Sequence, residues 1–163
     1  RSMGNKTDTV GSMLGKAIAI ASAVHKDQRD MGGHAYILHP LRVMMRLRTD
    51  DEDMLIIAIL HDCVEDSKGV VTIDSLRAEG FSERVLAALT LLTHDKSVPY
   101  EDYIRKIATN KDAIRSKIED IRDNTDVTRL KGLRDKDFER MAKYHRAYIY
   151  LVAALAAMEK VGY

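Results

Sequence analysis

The chain has no tryptophan and one cysteine, Cys63, among its 163 residues. A single thiol excludes an intrachain disulfide, and with it the stapled scaffolds of small secreted domains; a reducing, cytoplasmic compartment is the expectation. Proline occurs only at Pro40 and Pro99, which suit the beginnings of helices rather than their interiors. No stretch approaches the ~18 consecutive apolar residues of a membrane span. The nearest, Ala147 to Met158, is closed by Arg146 and Glu159. No signal peptide is visible ahead of the first helical pattern. An excess of one charge is also lacking: 26 Lys and Arg against 25 Asp and Glu leave a net charge of +1. Without a one-sided field, neither nucleic acid nor an anionic membrane is an expected partner. Arg42, Arg46 and Arg48 read as the solvated face of a helix.

What is present is an ordinary folding composition, 45% hydrophobic and 31% charged, long enough for a real core. Arg1 and Ser2 ahead of Met3 read as additions, leaving 3–163 as one domain. Only Val70-Val71-Thr72-Ile73 hints at a strand. Elsewhere the apolar residues recur at helical spacing. The first helix is expected over 9–28, with Met13, Leu14, Ala17, Ile18, Ala21 and Val24 on one stripe. Gly32-Gly33 open a loop to His39-Pro40, where Pro40 takes the first position of a helix and His39 its entrance. Asp50 or Asp51 caps the apolar helix that follows. Thr72, Ser82, Pro99 and Asn110 each open another, and Asp135 to Lys160 is the longest. The predicted fold is all-α, without repeats or linkers.

The stretch richest in chemistry is His61-Asp62-Cys63-Val64-Glu65-Asp66, at the end of the apolar run Met54 to Leu60. On a helix, residues four apart lie about 5–6 Å from each other, so Glu65 follows His61 by one turn and Asp66 follows Asp62. Ionised groups pressed against a core need partners or a metal. The plainer reading, a solvated acidic helix end, runs against the helix dipole, which favours cations there. Cys63 points inward as a small buried hydrophobe. Further ligands are offered by His39 and by Asp120, which shares a face with Asn124 beside the apolar Ile118 and Ile121. Two His and two Asp form a mixed nitrogen–oxygen set suited to Mn²⁺, Fe²⁺ or Zn²⁺ more than Ca²⁺.

Three segments in order, Ala35-Tyr36-Ile37-Leu38-His39-Pro40-Leu41, Leu60-His61-Asp62-Cys63-Val64-Glu65-Asp66-Ser67 and Lys117-Ile118-Glu119-Asp120, resemble the hydrolase domain of Rel/SpoT proteins, within the HD superfamily of metal phosphohydrolases. The resemblance covers roughly residues 13 to 130. It implies removal of the 3′-pyrophosphate from guanosine tetra- or pentaphosphate, typically with Mn²⁺. It also implies metal ligation by His39, His61, Asp62 and Asp120. Glu65 and Asp66 match the pair that orients or deprotonates the attacking water, and Asn124 matches a residue that helps hold the nucleotide. Because the chain ends where the hydrolase domain does, the expected relatives are stand-alone small alarmone hydrolases. Basic candidates for the phosphates are Lys96, Arg105, Lys117 and Arg122.

Two departures stand out. Where Rel/SpoT hydrolases carry an Arg-Lys pair against guanine, this chain has Asp30 and Met31, with Arg29 as the available substitute. In Ile121-Arg122-Asp123-Asn124, Arg-Asp stands where Leu-His is commoner. They keep open another HD-domain nucleotide phosphohydrolase (a nucleotidase or cyclic-nucleotide phosphodiesterase) or a nucleotide-binding module without turnover. Self-association into a homo-oligomer is compatible with each. His25 is either near the nucleotide or a partly exposed helix histidine; His34, His94 and His145 are expected at the surface. Tyr100, Tyr103, Tyr144, Tyr148 and Tyr150 are expected mainly to pack.

Overall fold

The computed structural model describes residues 10–162. Among them are nine α-helices: α1 Ser12–His25, α2 Leu38–Arg46, α3 Glu52–Leu60, α4 Cys63–Asp66, α5 Ile73–Ala78, α6 Glu83–Leu92, α7 Tyr100–Ile107, α8 Lys111–Asn124 and α9 Asp135–Lys160, with a 3₁₀ turn at Val127–Arg129. The described residues contain no β-sheet, only an isolated antiparallel bridge between Arg29 and Ala35. None of the helices is long and apolar enough to cross a membrane.

The centre is α3. Met54 and Ile56 to Leu60 are all buried, as expected of a helix apolar on every side, and α1, α2, α6 and α8 pack around it. Asp51, rather than Asp50, caps it, accepting from Met54 N at 3.4 Å. Glu52 in its first turn reaches back to accept from Gly11 N and Leu14 N, closing the start of α1. Such a carboxylate satisfies donors that α1 itself leaves free. Asn110 caps α8 in the same manner, accepting from Ala113 N at 2.9 Å.

Several boundaries differ from the sequence reading. Helix α1 begins at Ser12 and ends at His25, while Thr9 lies outside the described residues. Pro40 is the third residue of α2, still in the first turn where no intrahelical N–H is needed. His39 therefore sits inside the helix, buried. The 70–73 stretch forms no strand. Thr72 caps α5 in a reciprocal box, Ser75 N donating to Thr72 Oγ1 at 3.0 Å and Thr72 N to Ser75 Oγ at 2.9 Å. These local bonds satisfy the backbone more cheaply than a lone strand could.

The break that matters falls after Leu60. Instead of one helix ending in acidic residues, α3 stops and His61-Asp62 make a turn, with Asp62 at φ −104° and ψ −2°, into the short α4. Glu65 and Asp66 thus belong to the first turn of a new helix, where the dipole accepts them, rather than to the last turn of an old one.

Candidate metal centre

Two helices and the 61–62 turn converge on one point. His39 comes from α2, His61 and Asp62 from the turn, Asp120 from α8. Nε2 of His39 lies 3.3 Å from Nε2 of His61 and 2.9 Å from Oδ1 of Asp120. His61 Nε2 lies 3.0 Å from Asp62 Oδ2 and 3.4 Å from Asp120 Oδ1. Donor atoms of His39, His61 and Asp120 all fall within 4.8 Å of one another, and all three residues are buried. Asp62 stands at the edge, 3.6 Å from His39 Nε2, and accepts from the Tyr36 hydroxyl at 2.5 Å.

The other nitrogen of each ring is already committed. His61 Nδ1 donates to the Ala58 carbonyl at 2.6 Å. His39 Nδ1 faces Oδ2 of Asp123 at 2.7 Å, and an ionised carboxylate only accepts, so Nδ1 carries a proton there as well. In both neutral imidazoles the remaining Nε2 is then an acceptor. Two such nitrogens packed with carboxylate oxygens leave acceptors facing acceptors, an arrangement that positive charge resolves, whether as protons on Nε2 or as a bound cation. The donor set fits a divalent metal, with nitrogen and oxygen ligands and an outer layer that orients each ring.

The electrostatics agree. Burial works against protonation of His39, but its hydrogen bonds to Asp120 and Asp123 hold its pKa above the ordinary histidine value. Burial likewise opposes a charged His61, and Asp62 and Asp120 override it, lifting the pKa well above normal. Burial would raise Asp62, yet His61 brings it down to about 2. Asp120 is held well below the ordinary range despite burial, chiefly by Lys117 and His61. The centre prefers positive charge.

Next to these acids lies the opposite case. Glu65 is raised by its partial burial and by Asp62, against the hydrogen bond from His94 N. Asp66 is raised by burial and by Asp62, against the amide of Gln28, which donates to it at 3.1 Å. Carboxylates pushed toward neutral pH beside a metal-type cluster are candidate proton acceptors.

The basic residues chosen from sequence divide sharply. Lys117 is at the centre, its Nζ 2.8 Å from Asp120 Oδ2. Asn124 donates to Asp120 Oδ1 at 2.9 Å and, with Arg29, lines a cleft of about 280 Å³ that also presents Tyr36, Arg129, Arg140 and Tyr144. Arg122 does not reach that cleft. Two residues past Asp120 it is turned ~200° round the helix, pairing with Glu119 and donating to the Tyr148 hydroxyl. Arg105 pairs with Asp102 on α7 and lines a separate groove against α9. Lys96 is exposed in the loop before α7, with no contact to the cluster. Arg105, Arg122 and Lys96 thus stand at the surface, outside the cleft beside the cluster.

Some contributors were missed. Asp123, wholly buried, receives His39, Arg42, Arg46 and Arg129, so Arg42 and Arg46 are not simply a solvated face. Its position three residues after Asp120 was the available signal. Tyr36 and Gln28 act through a loop and a helix end that no periodicity marks. Arg129 and Arg140 become cleft residues because a close approach brings the 29–35 loop to the 3₁₀ turn: a Cβ on Gly32 would lie 2.5 Å from the Arg129 carbonyl oxygen. His25 is buried rather than partly exposed, its Nδ1 2.9 Å from the Gln28 side-chain oxygen. His94 is half-buried and stacks on Tyr103 at 4.3 Å between ring centres.

Fold and site together define an all-helical protein built round a buried His/Asp cluster. No protein-family model matches the chain. A 3′-pyrophosphohydrolase of guanosine-3′,5′-bis(diphosphate) from Aquifex aeolicus is 32% identical over 138 residues, covering 78% of this chain and 19% of that protein. A protein named GTP pyrophosphokinase rsh, from Brucella melitensis biotype 1, is 40% identical over 65 residues, 38% of this chain and 8% of its own length. The chain thus spans less than a fifth of these relatives. A solved structure, described as "A metazoan ortholog of SpoT hydrolyzes ppGpp and plays a role in starvation responses", superposes with a TM-score of 0.70 at 20% identity, over 93% of this chain and 96% of that one. The resemblance read from the three motifs is matched by these named relatives, and the all-α fold by the solved structure.

Proposed function

We propose that the chain is a divalent-metal-dependent pyrophosphohydrolase that removes the 3′-pyrophosphate from guanosine tetra- or pentaphosphate, or from a closely related nucleotide. The observation that carries this reading is the meeting of His39 Nε2, His61 Nε2 and Asp120 Oδ1 within 4.8 Å, one short helix away from the raised Glu65 and Asp66. The names of the Aquifex protein and of the structural neighbour support the substrate class. A single domain spanning 3–163 is part of the proposal.

His39, His61, Asp62 and Asp120 would hold the metal, with Mn²⁺ the first candidate and Fe²⁺ or Zn²⁺ next. When bound, a divalent metal supplies Lewis acidity, which stabilises charge developing at phosphorus and acidifies water. The remaining work belongs to the chain. Glu65, exposed beside the cluster and fixed by the His94 N–H at 2.5 Å, accepts the proton of the attacking water. Asp66, anchored by Gln28, orients that water. Attack by one water releases pyrophosphate and leaves a nucleoside 5′-diphosphate from the tetraphosphate, or a 5′-triphosphate from the pentaphosphate. Tyr36 steadies Asp62, and Lys117 balances the charge on Asp120. Asn124, Arg29, Arg129 and Arg140 offer a polar, cationic wall for the nucleotide.

A second reading, a different base, is favoured by one observation. Asp30, where the Arg-Lys pair would begin, spends its carboxylate on the loop's own Gly32 and His34 N–H groups, at 2.9 and 2.8 Å. Met31 beside it is exposed and uncharged. The test is incubation of the Mn²⁺-loaded chain with guanosine tetraphosphate and with adenosine and monophosphate analogues, resolving products by ion exchange. Matched release of GDP and pyrophosphate, abolished by chelation, is the expected result. Turnover of other nucleotides only would transfer the reading to the second substrate class, and binding without turnover would make the chain a nucleotide-binding module.

A further inference from the structure

The least expected group in the centre is Asp123. It is a carboxylate with its side chain fully buried, on the same side of α8 as Asp120, but its oxygens are taken by His39 Nδ1 and by arginines instead of facing the two Nε2 atoms of the cluster. Its Oδ2 takes the Nδ1 proton of His39 at 2.7 Å. Its Oδ1 accepts from Arg42 Nε at 2.8 Å, and its Oδ2 from Arg42 Nη2 at 3.1 Å. Arg129 adds longer bonds to both oxygens and a 2.6 Å bond to the backbone carbonyl of the same residue. Arg46 comes within 3.5 Å. A buried carboxylate is unfavourable unless it is both paired and hydrogen-bonded, and here every acceptor position is filled.

The geometry points to Asp123 as the positioning residue of the metal centre, fixing His39 with its proton on Nδ1 so that Nε2 is presented to the cation. This inference rests on the metal-centre reading above. A carboxylate behind a ligating imidazole fixes its tautomer and ring plane and makes the far nitrogen a better donor. The arginines have a distinct task. They neutralise Asp123, so that it can stay ionised in the interior without claiming a proton or a metal of its own.

The test is Mn²⁺ affinity of the full chain, read by isothermal titration and by electron paramagnetic resonance of free Mn²⁺, without substrate. Asp123→Ala should weaken binding about ten- to a hundredfold. Asp123→Asn, which keeps the volume and one acceptor oxygen, should recover part of that loss. Arg42→Gln, one bond further out, should lower the melting temperature while changing affinity less than about threefold, because the His39–Asp123 bond survives. If Asp123→Ala does not fold, the ranking of wild type above Asn, with Arg42→Gln beside wild type, still decides. Wild-type affinity in a folded Asp123→Asn, or equal losses in Asp123→Asn and Arg42→Gln, would overturn the assignment and leave only a structural network. Because no substrate is present, a wild type that binds Mn²⁺ yet hydrolyses nothing would defeat the proposed reaction without touching this result.

Discussion

The two walls of the site are built differently. On the metal side, α2, α8 and the turn after α3 hold each polar atom by at least one partner: His39 by Asp123, His61 by Ala58, Asp62 by Tyr36, Asp120 by Lys117 and Asn124. On the nucleotide side, Arg29 and Met31 stand on a loop, and Arg129 ends a 3₁₀ turn. Arg140 is tied to nothing nearer the centre than Asp137. The metal side is preorganised, which is what electrostatic catalysis requires. On the nucleotide side Asn124 and Arg129 are tied to Asp120 and Asp123, whereas Arg29, Met31 and Arg140 stand outside that network, so these three are the positions where the wall can change with least effect on the cluster. Under the proposed function, the loop residues Arg29 and Met31 and the α9 residue Arg140 are where specificity separates from reaction.

That separation can be broken at graded cost. Asp120→Ala removes one ligand and unpairs buried Lys117; Mn²⁺ binding and hydrolysis should both fall to background, checked by titration and product assay. Glu65→Gln should keep Mn²⁺ affinity and lose about 10²–10⁴-fold in kcat, as expected for a general base. Its stability effect has the opposite sign. Burial and Asp62 raise the folded-state pKa of Glu65 above 4.5, so ionisation as pH rises through that window costs the folded state stability. The amide removes this cost, and the melting temperature at neutral pH should be equal or higher. Retained activity would show that another group takes the proton. Arg140→Ala should raise KM about tenfold, in line with loss of one charge-assisted hydrogen bond, with Mn²⁺ affinity unchanged. Met31→Lys should be smallest, lowering KM for guanosine tetraphosphate by about threefold, the order of a cation near a base or phosphate in partly exposed surroundings. If Met31→Lys instead altered Mn²⁺ binding, the two walls would not be independent.

Much of the metal side was legible before the fold. His61, Asp62 and Asp120 interrupt apolar helical patterns, and a buried charge in such a place has few explanations. The helix content was legible from caps and periodicity, down to Asn110 and Ser82. What escaped was angular and local. Helical phase alone could have dismissed Arg122 and admitted Asp123, since two residues turn ~200° and three turn ~300°. The turn at His61-Asp62 was hidden because a broken helix and a continuous one share the same apolar run. The cleft depends on a loop resting against a distant backbone carbonyl, a contact without any sequence period.

The most direct test of the central claim is an anomalous diffraction map of crystals grown with Mn²⁺. The account predicts one strong peak lying between His39 Nε2 and His61 Nε2 and touching the Asp62 and Asp120 carboxylates, with Glu65 and Asp123 outside the coordination sphere. A peak elsewhere, or none with Mn²⁺ in excess, would contradict it.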